Sequence, residues 1–291
     1  VGPPALIDLR HLGRPRVLAA YLVTDPEPVL IDCGPASCLG ALEDGLADHG
    51  VRVGDLRHLL LTHIHLDHAG AAGALVAANP RLIVHVSDAG APHLLAPERL
   101  ERSARRLFGA EFDRLWGSLA PVPPDNMRVA RGRAAGLDCF PTPGHAIHHI
   151  SFLGPDGSCF TGDVTGIRIP PWTEVVPGTP PPDIDLDAYD RSLTEIAARQ
   201  PERLCLSHFG IFGDVNGHLA RTRDGLARWS GRVRDGATEE EFVAAARADL
   251  NGRPDALEAI EAAAPFEPSF LGLQRYWDTR RRPAGSLSAT T

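Results

Sequence analysis

Four side chains able to hold a metal ion crowd one short stretch of the chain: His63, His65, Asp67 and His68, in Leu59-Leu-Leu-Thr-His-Ile-His-Leu-Asp-His68. Imidazole nitrogen and carboxylate oxygen are borderline donors, and no sulfur stands among them, so the set suits Zn²⁺, Fe²⁺ or Mn²⁺. The apolar run ahead of them reads as a strand. In extended backbone His63 and His65 point the same way, while Asp67 and His68 fall on the turn beside them, so two adjacent ion positions fit. A single histidine there would read as the polar end of a strand; a cluster of this density does not. Three more segments share the form, a polar residue closing an apolar run: Phe140-Pro-Thr-Pro-Gly-His145, Cys159-Phe-Thr-Gly-Asp163 and Leu204-Cys-Leu-Ser-His208.

Taken in order, His-x-His-x-Asp-His, Thr-Pro-Gly-His, Thr-Gly-Asp and Ser-His resemble the metallo-β-lactamase superfamily, and within it the glyoxalase II-like branch, over roughly Val17 to Gly210. The resemblance implies that His63, His65 and His145 hold one ion, that Asp67, His68 and His208 hold a second, and that Asp163 bridges them. It also implies an α/β fold, the four-layer αββα sandwich, and two divalent metal ions, zinc first with iron or manganese as alternatives. A metal-bridging hydroxide would then attack an activated acyl substrate, with Asp67 orienting it in a catalytic role. A thioester is the first expectation. A lactonase and a mononuclear-iron persulfide dioxygenase are the alternatives. A true β-lactamase shares the first motif, but Thr-Gly-Asp favours the glyoxalase-like branch. A nuclease would need a basic face, and a flavodiiron oxidoreductase would need an added flavin domain.

One departure from the family pattern stands at Gly144-His-Ala-Ile-His-His149, where His148 replaces a glycine and Ile147 a proline. The resemblance gives His149 a structural role. His148 is read as supporting a ligand from behind or as a satisfied core histidine, and Asp32, in Leu30-Ile-Asp-Cys-Gly34, as a supporting residue at the site floor. Arg168 and Trp172 are candidate substrate contacts because they follow Asp163 closely. Tyr276 is a third, beside Arg275, Arg280, Arg281 and Arg282 in the helical tail, although those arginines equally suit a solvated helix end. His11, His49, His58, His85, His93 and His218 carry no spacing signal.

The elements that would position these residues follow from short apolar runs bounded by turn residues: 17–23, 29–31, 58–61, 82–86, 137–140, 149–153, 158–160 and 203–206 read as strands. Helical periodicity marks 37–49 and 187–199. After about Phe212 strand signals vanish, and Thr238 with Glu241 forms a capping box ahead of Phe242, Ala246 and Leu250 on one helical face. The expected organisation is a metal-binding domain over 1–212, a helical extension over 213–283 packed on it, and a disordered tail over 284–291. The stretch 170–182 is rich in proline and too short for a linker, so it reads as an ordered loop near the site.

A formal net charge of −8 argues against a nucleic-acid surface and for a small-molecule substrate. Every basic side chain is Arg, because the chain contains no Lys, which removes Schiff-base chemistry. The five cysteines are scattered, odd in number and set in apolar runs, so they read as buried thiols of a reducing compartment. No apolar run approaches a membrane span, and the N-terminal stretch lacks a signal-peptide pattern, so a cytoplasmic protein without a membrane partner is expected. The apolar stripe of the helical tail suits a homodimer or packing on the parent core.

Overall fold

Alternation along each strand decides which core its side chains enter. In the computed structural model, which describes residues 2–250 and 254–281, one sheet runs in sequence order through β1 (Ala5–Asp8), β2 (Ala19–Val23), β3 (Val29–Ile31), β4 (His58–Leu60), β5 (Ile83–Val86) and β6 (Met127–Val129). The first three strands pair antiparallel, and β3 to β6 run parallel. The second sheet holds β7 (Gly132–Ala134), β8 (Leu137–Pro141), β9 (Ile150–Leu153), β10 (Ser158–Gly162), β11 (Arg203–Leu206) and β12 (Gly210–Phe212), with β10 and β11 parallel.

The helices of the first half are α1 (Leu39–Asp48), α2 (Leu66–Ala69), α3 (Ala72–Ala78), α4 (Ala91–Leu95), α5 (Glu98–Phe108) and α6 (Phe112–Trp116). Those of the second half are α7 (Leu186–Ala198), α8 (Val215–Arg234), α9 (Glu239–Asp249), α10 (Pro254–Ala263) and α11 (Phe266–Arg281).

On β4, Leu59 packs with Leu42, Leu46 and Leu75 of α1 and α3, whereas its neighbour Leu60 faces Phe152 and Phe160 between the sheets. On β11, Cys205 enters the space between the sheets, while Leu204 and Leu206 meet Tyr189, Leu193 and Ile196 of α7. Both faces of each sheet are therefore covered, and the layers run helix, sheet, sheet, helix. This is the αββα sandwich the sequence motifs implied. Among the described residues no helix is long and apolar enough to cross a membrane.

The later helices close one side of the inter-sheet core. Trp229 of α8 meets Phe242 of α9 edge-on at 5.1 Å and Phe266 of α11 at 5.6 Å. The capping box at the start of α9 forms as the sequence predicts: Thr238 Oγ1 accepts from Glu241 N at 3.2 Å, and Glu241 Oε2 accepts from Thr238 N at 2.8 Å. The helix expected over 37–49 is a 3₁₀ turn at Ala36–Cys38 followed by α1. Beyond the expected strands the structure adds β1, β6, β7 and β12, each of three or four residues. Segments so brief carry too few alternations to register as a pattern. The tail expected over 284–291, and Arg282, lie outside the described residues.

Candidate metal centre

Each candidate ligand sits where a strand stops. His63 and His65 follow β4, and α2 then turns Asp67 and His68 back toward them; His145 follows β8, Asp163 follows β10 and His208 lies between β11 and β12. Strands β3 and β4 in one sheet and β10 and β11 in the other run parallel, so their carboxyl ends gather at one edge of the sandwich, the usual place for a site in such folds. Gly162 makes the approach between the sheets feasible. Its φ is +47°, and a Cβ there would sit 2.6 Å from His149 Nε2 and 2.7 Å from Thr62 Oγ1.

The ligands fall into two groups, His63 with His65 and His145, and Asp67 with His68, Asp163 and His208. In the first, His65 Nδ1 lies 3.0 Å from both His63 Nε2 and His145 Nε2. In the second, Asp67 Oδ2 lies 3.5 Å from His68 Nε2 and 3.3 Å from His208 Nε2. Asp163 stands between them. Its Oδ1 is 3.1 Å from His68 Nε2 and 3.4 Å from His208 Nε2, and its Oδ2 is 3.4 Å from His145 Nε2.

Partners behind the rings decide which nitrogen faces inward. His68 Nδ1 meets Asp32 Oδ2 at 2.9 Å, His145 Nδ1 meets the Gly178 carbonyl at 3.0 Å, and His208 Nδ1 meets the Val17 carbonyl at 2.9 Å. These oxygens only accept, so each Nδ1 carries a proton, and each ring, when neutral, turns an Nε2 lone pair into the site. His63 Nδ1 faces Thr62 Oγ1 at 3.1 Å, whose hydroxyl is in turn 2.9 Å from Asp32 Oδ2. The same logic therefore fixes its tautomer.

This arrangement fits a cation. In the first group a single His65 Nδ1 hydrogen could serve only one of two facing lone pairs, whereas a cation would serve all three nitrogens. In the second, His68 Nε2 and Asp163 Oδ1 are buried without a hydrogen-bond partner although they are 3.1 Å apart, because neither is aimed at the other. Such orphaned buried atoms call for an ion or ligand.

The electrostatics differ between the groups. Burial, reinforced by neighbouring histidines, pushes His63 and His65 well below the usual imidazole range, and burial lowers His145 despite nearby Asp163. Burial would lower His68 and His208 too, but Asp163 and Asp67 outweigh it and hold both above that range. Burial opposes ionisation of Asp67 and Asp163; His68 and His208 overcome it and hold both carboxyls below theirs.

Asp32 is the hub beneath the site. Its carboxylate accepts from Thr62 N at 2.8 Å, His68 Nδ1 at 2.9 Å and Ser207 Oγ at 3.0 Å, tying the ends of three strands together. His149 accepts from the Asp163 amide on Nε2 at 3.2 Å and so donates from Nδ1 to Thr142 Oγ1 at 2.9 Å. His148 stacks on His63 at 6.0 Å and stands edge-on to His65 at 5.4 Å, but its hydrogen bond is with the Ile64 amide, at 3.4 Å, not with a ligand ring.

The residues read from sequence as substrate contacts each have partners within the chain. Arg168 Nη1 pairs with Asp214 Oδ1 at 2.7 Å, and its guanidinium lies 4.1 Å over the Phe212 ring. The cation expected for substrate is thus engaged by a carboxylate of its own chain. Tyr276 lies on α11 against Trp277 and beneath Arg280, and no hydrogen bond or ring contact joins it to the ligands. Trp172 packs against the inter-sheet core.

The proline-rich loop does bear on the site, through its backbone. Gly178 O accepts from His145, and Tyr189 OH is 3.2 Å from it and 3.1 Å from the Asp163 carbonyl. Thr179 Oγ1 donates to Ser269 O of α11 at 3.2 Å, and Gly272 meets the Thr179 carbonyl so closely that a Cβ would not fit. His11, which carries no spacing signal, is buried against Trp116 in the loop whose Val17 carbonyl meets His208. No spacing rule could have found it, because it approaches from the loop between β1 and β2. All five cysteines are free and buried.

The comparisons with known proteins agree with this fold. ST1585 of Sulfurisphaera tokodaii, a metallo-beta-lactamase fold-containing protein, is 26% identical over 207 residues, 68% of this chain and 74% of that protein. Its crystal structure superposes with a TM-score of 0.65 at 23% identity, covering 89% of this chain and 93% of that one. TTHA1623, solved in a di-iron-bound form, is 29% identical with a TM-score of 0.52, covering 70% of this chain and 93% of that one. Thioesterase pkgB of Emericella nidulans is 30% identical over 149 residues, 49% of this chain and only 34% of that protein's length. The model of the metallo-beta-lactamase superfamily matches residues 13–208, and with the strand-end ligands in place the chain belongs to that superfamily.

Proposed function

We propose that the protein is a binuclear metal-dependent hydrolase of activated acyl groups, thioesters first. The observation that carries the reading is the position of Asp163, with one carboxylate oxygen facing each donor group. One anion between two dications offsets their repulsion and fixes a short separation. When bound, the two ions would supply electrophilic pull on the acyl carbonyl and an activated water. His63, His65 and His145 would hold one ion, and Asp67, His68 and His208 the other. Zinc or iron fits these nitrogen and oxygen donors, and TTHA1623 is described with two irons.

Asp67 has a second task. Its side chain is 20% exposed, more than that of Asp163 beside it, and it stays ionised at neutral pH because His68 and His208 outweigh burial. It can therefore accept a hydrogen bond from the attacking water and turn its lone pair toward the substrate. The thioester preference draws on the kinship with thioesterase pkgB. A persulfide dioxygenase needs one iron only, and the complete second group of donors favours the binuclear reading.

The test is hydrolysis of a panel of thioesters, lactones and aryl esters by protein loaded with zinc or iron. Turnover of thioesters that disappears with a chelator and returns with metal is the expected result. Oxygen uptake with a persulfide, without acyl hydrolysis, would replace this reading with the dioxygenase.

A further inference from the structure

We propose that His11 contacts the substrate, its Nε2–H donating a hydrogen bond to the heteroatom that leaves the acyl group, on the Asp67 and His208 side of the centre. The inference rests on the acyl-hydrolase reading above. Four observations lead to it. The ring is 5% exposed and lies parallel to Trp116, centroids 5.6 Å apart, so its plane is fixed. Its Nδ1 is 3.5 Å from Cys38 Sγ. Burial pushes that thiol up to about 11, so the sulfur keeps its hydrogen, donates it to Nδ1 and leaves the imidazole proton on Nε2. That Nε2 has no hydrogen-bond partner among the described residues, yet it is not sealed from solvent. Trp116 packs against the cluster that holds Leu66, the neighbour of Asp67, and after burial the charges of Asp67 and His208 act on His11 most strongly, ahead of that of Arg114.

The loop that carries His11 is built to hold it there. Asp8 accepts from Arg10 N at 3.0 Å and Arg16 N at 2.9 Å, closing the loop at both ends. Arg10, Leu12 and Arg16 take positive φ values of 44°, 53° and 61°, conformations non-glycine residues adopt mainly where the surroundings enforce them. The same loop gives Val17 O to His208 Nδ1, so one segment supports a ligand and presents a donor.

A neutral imidazole N–H polarises the departing atom without giving up its proton. The C–S or C–O bond breaks, the electron pair goes to sulfur or oxygen, and the leaving anion takes its proton from water. The benefit grows with the basicity of the departing atom, so esters need His11 more than thioesters do.

The experiment compares wild type, His11→Gln, which keeps a donor, and His11→Leu, which does not, all metal-loaded, across aryl esters and thioesters of one acyl group. The expected loss of kcat/KM in His11→Leu is about 10-fold for good leaving groups and about 100-fold for poor ones, with His11→Gln recovering most of it. A uniform loss across the series overturns the proposal, since a merely structural role has no reason to follow leaving-group basicity. If His11→Leu does not fold, His11→Phe keeps the stack on Trp116 and answers the same question. A binding arm needs no turnover: calorimetric titration of loaded protein with benzenethiol, as a leaving-group probe, should weaken about 10-fold in His11→Leu. Equal affinity overturns the role of His11. A wild type that hydrolyses nothing in the series sinks the hydrolase reading alone, because the thiol titration still decides His11.

Discussion

The two donor groups share a wall of the site and follow opposite electrostatic plans. His63, His65 and His145 have no carboxylate of their own; burial and their mutual proximity keep them neutral, with lone pairs facing one another. His68 and His208 face Asp67 and Asp163, and in the metal-free protein protons on those imidazoles stand where a cation would. The first group is ready for an ion at any pH near neutrality. The second must release protons before it can take one. Asp163 belongs to both plans, which makes it the place where the comparison breaks most completely.

Asp163→Ala should therefore have the largest effect, lowering acyl hydrolysis by about 10²–10³-fold or more and reducing bound metal from two ions per chain to one. Elemental analysis beside the kinetic assay checks it; unchanged hydrolysis would remove the bridge from the account. Acidification should separate the groups without mutation. As pH falls through the folded-state values of His68 and His208 the second ion should be lost while the first stays, seen as a step in chelator-competition titrations. Stability of the metal-free protein carries the matching sign. His68 and His208 titrate above the unfolded imidazole value of about 6.5, so their contribution is full below it and fades as pH rises through their folded values. The thermal midpoint of metal-free protein should fall on the alkaline side, and that of loaded protein should not.

Smaller changes sharpen the comparison from behind the ligands. Asp32→Asn weakens the acceptor for His68 and should cost roughly 10–100-fold in affinity for the second ion, and less for the first, which it reaches only through Thr62. Gly272→Ala pushes on Thr179 next to Gly178 and should lower affinity for the first ion by about 10-fold, through His145, leaving the second group nearly unchanged. Thr238→Ala removes a helix cap remote from both groups. It should cost about 1 kcal/mol in denaturant unfolding and alter neither metal affinity.

The candidate ligands were legible because they follow the ends of apolar strands and the motifs that carry them are local. His63 through His68 advertise themselves by density, and the capping box at Thr238 by two residues three apart. What escaped the sequence depends on long-range closure. The acceptors behind the rings include the carbonyls of Val17 and Gly178, and a carbonyl has no residue type to read. His11 meets Cys38 and Trp116 only because the loop after β1 folds against them. Arg168 illustrates the converse: its position five residues past Asp163 suggested a substrate contact, but Asp214, far along the chain, claims its charge. The helices between Leu66 and Trp116 also went unread, since most are shorter than the three or four turns that periodicity needs.

The most direct test of the central claim is a metal titration of wild-type protein at pH 8, followed by elemental analysis after removal of free ions. Saturation at two ions per chain, the second lost on acidification before the first, is the predicted result. Saturation at one ion, with the Asp67, His68 and His208 group left unfilled at saturating metal, would contradict it.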